Sequence, residues 1–104
     1  MKTLIKTEEL QREYALHAKD VEKKMEYLFD RIFEKFEEYR LLDVHSVYDT
    51  CETCVIFELG GDYFSVVFEL LKINDDGTGN QLITVKGTNT LMVRALYKYF
   101  SEKY

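Results

Sequence analysis

The stretch "CVIFELGGDYFSVVFELLKI", residues 54–73, decides the fold. Side chains alternate along both arms of a central Gly-Gly-Asp, which is the period of a β-strand on either side of a hairpin turn. In the first arm Val55, Phe57 and Leu59 share one face while Ile56 and Glu58 share the other. In the second, Phe64, Val66, Phe68 and Leu70 oppose Ser65, Val67, Glu69 and Leu71. Downstream, "NDDGTGN" (74–80) reads as another turn and "QLITVK" (81–86) as a third strand. Gly87 ends that strand, and Thr88 or Asn89 caps a last helix running to about Lys103. The inner face of this helix is expected to carry Met92, Leu96, Tyr99 and Phe100, flanked by Val93.

Upstream of the hairpin the period changes. No Gly or Pro precedes Gly60, Thr7 is a good helix N-cap, and Glu8 and Glu9 sit where the helix dipole favours acids. Apolar residues, with His17 among them, recur in steps of three and four at Leu10, Tyr14, His17, Val21, Met25, Leu28, Ile32, Phe36 and Tyr39, with Phe29 and Phe33 widening the stripe. The spacing predicts a helical part over residues 4–42, followed by a sheet and C-terminal helix over 53–104. Between them "LLDVHSVYD" (41–49) reads as a loop with a short strand at Val44–Tyr48. The expected fold is a single α+β domain over 1–104: a long N-terminal helix, a three-stranded antiparallel meander and a C-terminal helix, in the order α-β-β-β-α.

A helix from Thr7 to Leu41 would run about 50 Å at 1.5 Å per residue. A domain of this size has a radius of gyration of only about 13 Å. The helix is therefore expected either to break near "HAKD" (17–20) or to project from the body. A projecting apolar stripe needs cover, and a twofold axis supplies an identical one. This makes Leu10, Tyr14, His17 and Val21 the candidate interface of a homodimer.

The chain is 46% hydrophobic with seven Phe and eight Tyr among 104 residues, a globular composition rather than a disordered one. No apolar run of signal-peptide or membrane-span length occurs, so the expected compartment is the cytoplasm, where thiols stay reduced. The net charge of −5 is unevenly laid out. Residues 1–40 are nearly balanced. Residues 41–85 carry Asp43, Asp49, Glu52, Glu58, Asp62, Glu69, Asp75 and Asp76 against Lys72 alone, and residues 86–104 turn basic. An acidic middle repels phosphate backbones, which argues against direct nucleic-acid binding and for a basic protein surface as partner.

The only cysteines, Cys51 and Cys54, form a CxxC in "YDTCETCVIF" (48–57). Zinc needs about four ligands, commonly from two such knuckles. Here Cys51 and Cys54 have only His45 in support, which leaves a metal-binding module on these three residues as an alternative reading. A redox pair needs a helix N-terminus to lower a thiol pKa, whereas this pair enters a strand with its two thiols diverging. There is no phosphate-binding Gly-rich loop, no GxSxG and no HExxH. "NDDGTGN" lacks the alternating ligands of a calcium loop. These absences favour a non-enzymatic protein without cofactor.

Two resemblances follow from the element order and charge. The α-β-β-β-α order looks like that of a double-stranded-RNA-binding domain, a family that reads RNA with a lysine cluster at the start of its last helix. The matching "GTNTLMVRAL" supplies only Arg94, so RNA binding is not expected. In size, charge and topology the chain also resembles small acidic phage-encoded proteins, some anti-CRISPR inhibitors among them. That resemblance implies carboxylates presented to the nucleic-acid-binding surface of a target protein. The contact residues it implies here are Asp43, Asp49, Glu52, Glu58, Asp62, Asp75 and Asp76. A homodimeric structural or regulatory protein without such mimicry is the remaining alternative.

Overall fold

The structure is a computed structural model that describes residues 7–76 and 78–103, with the backbone alone at Ile73. Its elements are α1 (Glu8–Phe33), β1 (Arg40–Val47), β2 (Glu52–Leu59), β3 (Asp62–Ile73), β4 (Gly79–Gly87) and α2 (Thr90–Lys103). The α+β class is as expected, but the sheet has four antiparallel strands, in the order β1-β2-β3-β4, where three were expected. The topology shared with the RNA-binding domain is thereby lost.

The N-terminal helix neither breaks at 17–20 nor reaches Leu41. Thr7 Oγ1 accepts from Leu10 N, as a capping threonine should, and the helix ends at Phe33 with Glu34 as its C-cap. Residues 4–6 of the expected helical part lie outside the described residues. Twenty-six residues span about 39 Å, close to the molecule's longest dimension of 41 Å, so α1 lies along the body. The helix stops without Gly or Pro because tertiary packing overrides propensity. Phe33 stacks on both Tyr39 (5.1 Å) and Phe57 (5.3 Å), and successive turns bonded from Phe36 N to Phe33 O and from Tyr39 N to Phe36 O fold the chain back beneath it.

β1 contains most of the short strand expected at Val44–Tyr48 and extends it back through residues expected to be helix end and loop. Its register against β2 shifts between Leu41 and Asp43, which leaves Leu42 as the extra residue of a bulge. The β2–β3 hairpin matches its sequence pattern, with Gly60 (φ 62°) and Gly61 (φ 84°) forming a two-residue turn that needs positive φ at both positions. Asn89 Oδ1 accepts from Met92 N and caps α2.

Both helices pack on one face of the sheet. The core joins Phe29 and Phe33 of α1, Val55, Phe57 and Leu59 of β2, Phe64, Val66 and Phe68 of β3, Ile83 of β4, and Leu96 and Phe100 of α2. Phe29, fully buried, stacks on Phe100 (5.0 Å) and ties the two helices together. Tyr99, expected on the inner face of α2, is 36% exposed.

A second, smaller core holds the N-terminal half of α1. Tyr14, Ala18 and Cys51 are buried there, with Leu10 and Leu70 against them. The helical stripe turns at this point onto Ala18 rather than His17, whose side chain is 68% exposed. The Tyr14 hydroxyl donates to the Glu52 carbonyl and shares a 2.9 Å hydrogen bond with Thr53 Oγ1. Gln11 Nε2 donates to Asp49 O (3.0 Å), and Ser46 Oγ donates to Glu22 Oε2. The cover that a projecting stripe required is thus supplied within the chain.

Candidate functional site: the open face of the sheet

Directly paired strand residues point to the same face, so the register assigns every side chain. Toward the helices go Leu41, Val44 and Ser46 of β1 with their β2 partners Phe57, Val55 and Thr53. Toward the other side go four rows. The first is Val47, Glu52, Glu69 and Leu82, and the second His45, Cys54, Val67 and Thr84. The third is Asp43, Ile56, Ser65 and Lys86, and the last Arg40, Glu58 and Tyr63. None of these fifteen residues is buried, as expected where no described element covers this face of the sheet.

The face has an apolar centre of Cys54, Ile56 and Val67, all half-buried by their neighbours. Acids surround it. Asp43 Oδ2 lies 2.6 Å from His45 Nδ1, Glu58 Oε2 lies 3.1 Å from Arg40 Nη2, and Glu52 Oε1 accepts from Thr50 Oγ1 (2.6 Å). Glu52 stands directly opposite Glu69. Asp43, Glu52, Glu58 and Glu69 outnumber Arg40 and Lys86, so the face is net negative.

Of the seven acids singled out from the sequence, the structure gathers Asp43, Glu52 and Glu58 on this face. Asp49 lies in the β1–β2 turn, and Asp75 and Asp76 in the β3–β4 turn, which an antiparallel meander places at the same end of the sheet. Asp76 Oδ1 accepts from the Thr78 hydroxyl (2.6 Å) and amide (2.9 Å), and these bonds hold its carboxyl below the usual range. Asp62 belongs to the other side. It accepts from Thr88 Oγ1 (3.4 Å) and Asn89 Nδ2 (3.2 Å), tying the start of α2 to the sheet. Glu69 joins them on the open face, as its alternation with Val67 and Ser65 opposite the core residues requires.

The cysteines part company. Cys51 is buried in the β1–β2 turn at φ 54°, its amide donating to Tyr48 O and its carbonyl accepting from Leu70 N. Cys54 faces outward, opposite His45. Among the described residues no three His, Cys, Asp or Glu side chains are arranged to hold a metal ion, so the Cys51/Cys54/His45 module does not assemble here. An Asp43–His45–Cys54 line does cross two strands. However, burial first, and then the Glu52 and Asp43 carboxylates, push the Cys54 thiol above its ordinary range, opposite to the need of a nucleophile. The line also lies on a sheet surface rather than in a cleft. An open hollow lined by Glu37, Glu38, Tyr39, Arg40, Glu58 and Gly61 adjoins the lower end of the face.

Fold and face together define a class: a helix-backed antiparallel sheet with one open, acidic-rimmed surface. Compared with protein-family models, curated proteins and solved structures, the chain matches none. No helix among the described residues is long and apolar enough to cross a membrane.

Proposed function

We propose that this chain is a non-enzymatic interaction protein, an inhibitor or regulator that captures a basic surface of a nucleic-acid-handling partner on the open face of its sheet. The observation that carries the reading is the one-sided helix cover. It leaves a surface where Asp43, Glu52, Glu58 and Glu69 rim the Cys54, Ile56 and Val67 centre. An apolar centre with a charged rim is the composition of a protein interface. Lys/Arg-rich surfaces that bind phosphate backbones are the natural complement of the rim, and a chain that occupies one competes with nucleic acid for it. Small acidic phage proteins, anti-CRISPR inhibitors among them, supply a precedent for this mode.

The test is affinity capture from the native host with wild type and with a D43K/E52K/E58K variant, followed by competition with duplex DNA and RNA. The expected partner is basic, is lost by the variant, and is displaced by nucleic acid and by salt. Equal capture by both chains at low salt would refute the acidic-face reading.

A further inference from the structure

The two edges of the sheet are unlike. β1 carries the devices that blunt an edge: the bulge at Leu42, charged side chains at Arg40 and Asp43, and α1 packed along it. β4 has α2 packed on one face, but it has no bulge of its own and no charged side chain over most of its length. It runs nine residues from Gly79 to Gly87, has no charged residue before Lys86, and contains the β-favouring run Ile83-Thr84-Val85. It pairs with β3 on one side and with no described strand on the other.

We propose that β4 is a pairing edge, and that its occupant is the β4 of a second copy of this chain, added antiparallel about a twofold axis near Ile83. The sheet then becomes continuous across both copies, with the helices of both on the same side.

Two features select a second copy over a foreign strand. First, the edge is electrostatically self-complementary. Its leading turn carries Asp75 and Asp76 and its far end Lys86, so antiparallel pairing brings the acidic end of one copy toward the basic end of the other. Second, like charges stay apart. The rim acids Asp43, Glu52 and Glu58 lie on β1 and β2, away from the axis, whereas the outward residues of β4 nearest it are Leu82 and Thr84. The pairing would also merge two open faces into one surface with acids at both outer ends.

The test is sedimentation velocity on the full chain, without partner, from micromolar to hundreds of micromolar. Wild type is expected to approach about 25 kDa, twice the 12.4 kDa of one chain. An L82K/T84K variant, which changes two exposed side chains and sets lysines facing each other across the axis, is expected to sediment as one chain with an unchanged far-UV CD spectrum. An L16E/H17E variant on exposed positions of α1 is expected to remain dimeric. Wild type that stays at the mass of one chain throughout overturns the proposal. So does an L82K/T84K chain that stays dimeric, or dissociation by L16E/H17E instead. Because no partner is present, this result is independent of whether the acidic face captures one.

Discussion

Replacing Tyr14 by Phe isolates what holds the N-terminal half of α1 to the sheet. Tyr14 is 6% exposed, and its ring meets Tyr48 edge-on at 6.0 Å, a contact that Phe retains. Only the hydroxyl is lost. It donates to the Glu52 carbonyl and is bonded to Thr53 Oγ1, itself 1% exposed. A net hydrogen bond is worth about 0.5–1.5 kcal/mol, and a buried group left short of a partner costs about 1–3 kcal/mol, so Y14F should cost about 1–3 kcal/mol. At about 4–8 °C per kcal/mol for a domain of this size, Tm should fall by about 5–20 °C. Urea and thermal unfolding followed by CD measure the loss. Native-state hydrogen exchange should show amides 8–18 opening faster than those around Phe29, since the second core is separate from the first. Thr53→Val and the double variant should be non-additive by about 1 kcal/mol, because both break the same bond. The hydroxyl must stay protonated to donate. Burial raises its pKa above the ordinary value of 10.0, so its contribution is full below pH 10 and fades as pH rises through the raised value. A Y14F chain within about 0.5 kcal/mol of wild type, the range of an ordinary surface change, refutes the latch.

Other predictions concern the open face and its turns. Cys54 should react slowly with iodoacetamide at pH 8, and D43N/E52Q should speed it by lowering the thiol pKa; equal rates would remove the carboxylates as a cause. In an NMR titration Asp76 should protonate below 3.8, and Thr78→Val should raise its midpoint. With its folded pKa depressed, Asp76 stabilises the turn above the unfolded value and loses that contribution as pH falls through the folded one. Glu52→Gln keeps an oxygen for Thr50 but removes a like charge facing Glu69. It should leave stability unchanged or raise it by up to about 1 kcal/mol in urea unfolding, while weakening partner capture.

Strong periodicity made much of this fold legible. The β2–β3 hairpin, its two faces and the capping of α2 follow from residues 54–73 and 87–93 because alternation there is uninterrupted and the turn residues agree with it. The short strand expected at Val44–Tyr48 lies mostly within β1, but the strand's first half, from Arg40, escapes the pattern for a physical reason. The extra residue Leu42 breaks the two-residue period, so Leu41 and Val44 reach the core from positions three apart. The end of α1 was missed because nothing local stops it; the stop comes from Phe33 meeting Tyr39 and Phe57, a contact across the fold. The stripe itself misled at His17, since helical spacing admits either His17 or Ala18, and the close approach to Cys51 and Tyr14 takes the smaller residue. Charge in the middle segment was plain to read, but its grouping was not. Asp62 and Glu58 are four residues apart in sequence and on opposite faces of the sheet, which only the register decides.

The placement of acids on the open face bears on why they are there. A sheet surface gains stability from cross-strand pairs that attract, and like charges directly opposite one another destabilise it. Arg40–Glu58 follows that rule, whereas Glu52 facing Glu69 runs against it. The same row ends in Val47 and in Leu82, which is 47% exposed, so the two carboxylates interrupt what would otherwise be an apolar row. Such a row on a sheet face that no described element covers invites unselective association, and in the proposed function two acids in its middle favour a surface that brings positive charge. In the proposed docking, selectivity for a basic surface would come from these two side chains. On the helix side, Asp62 shows the contrasting case. Its carboxylate is spent on Thr88 and Asn89 within the chain, and charge reversal there should act through α2 and stability rather than through a partner.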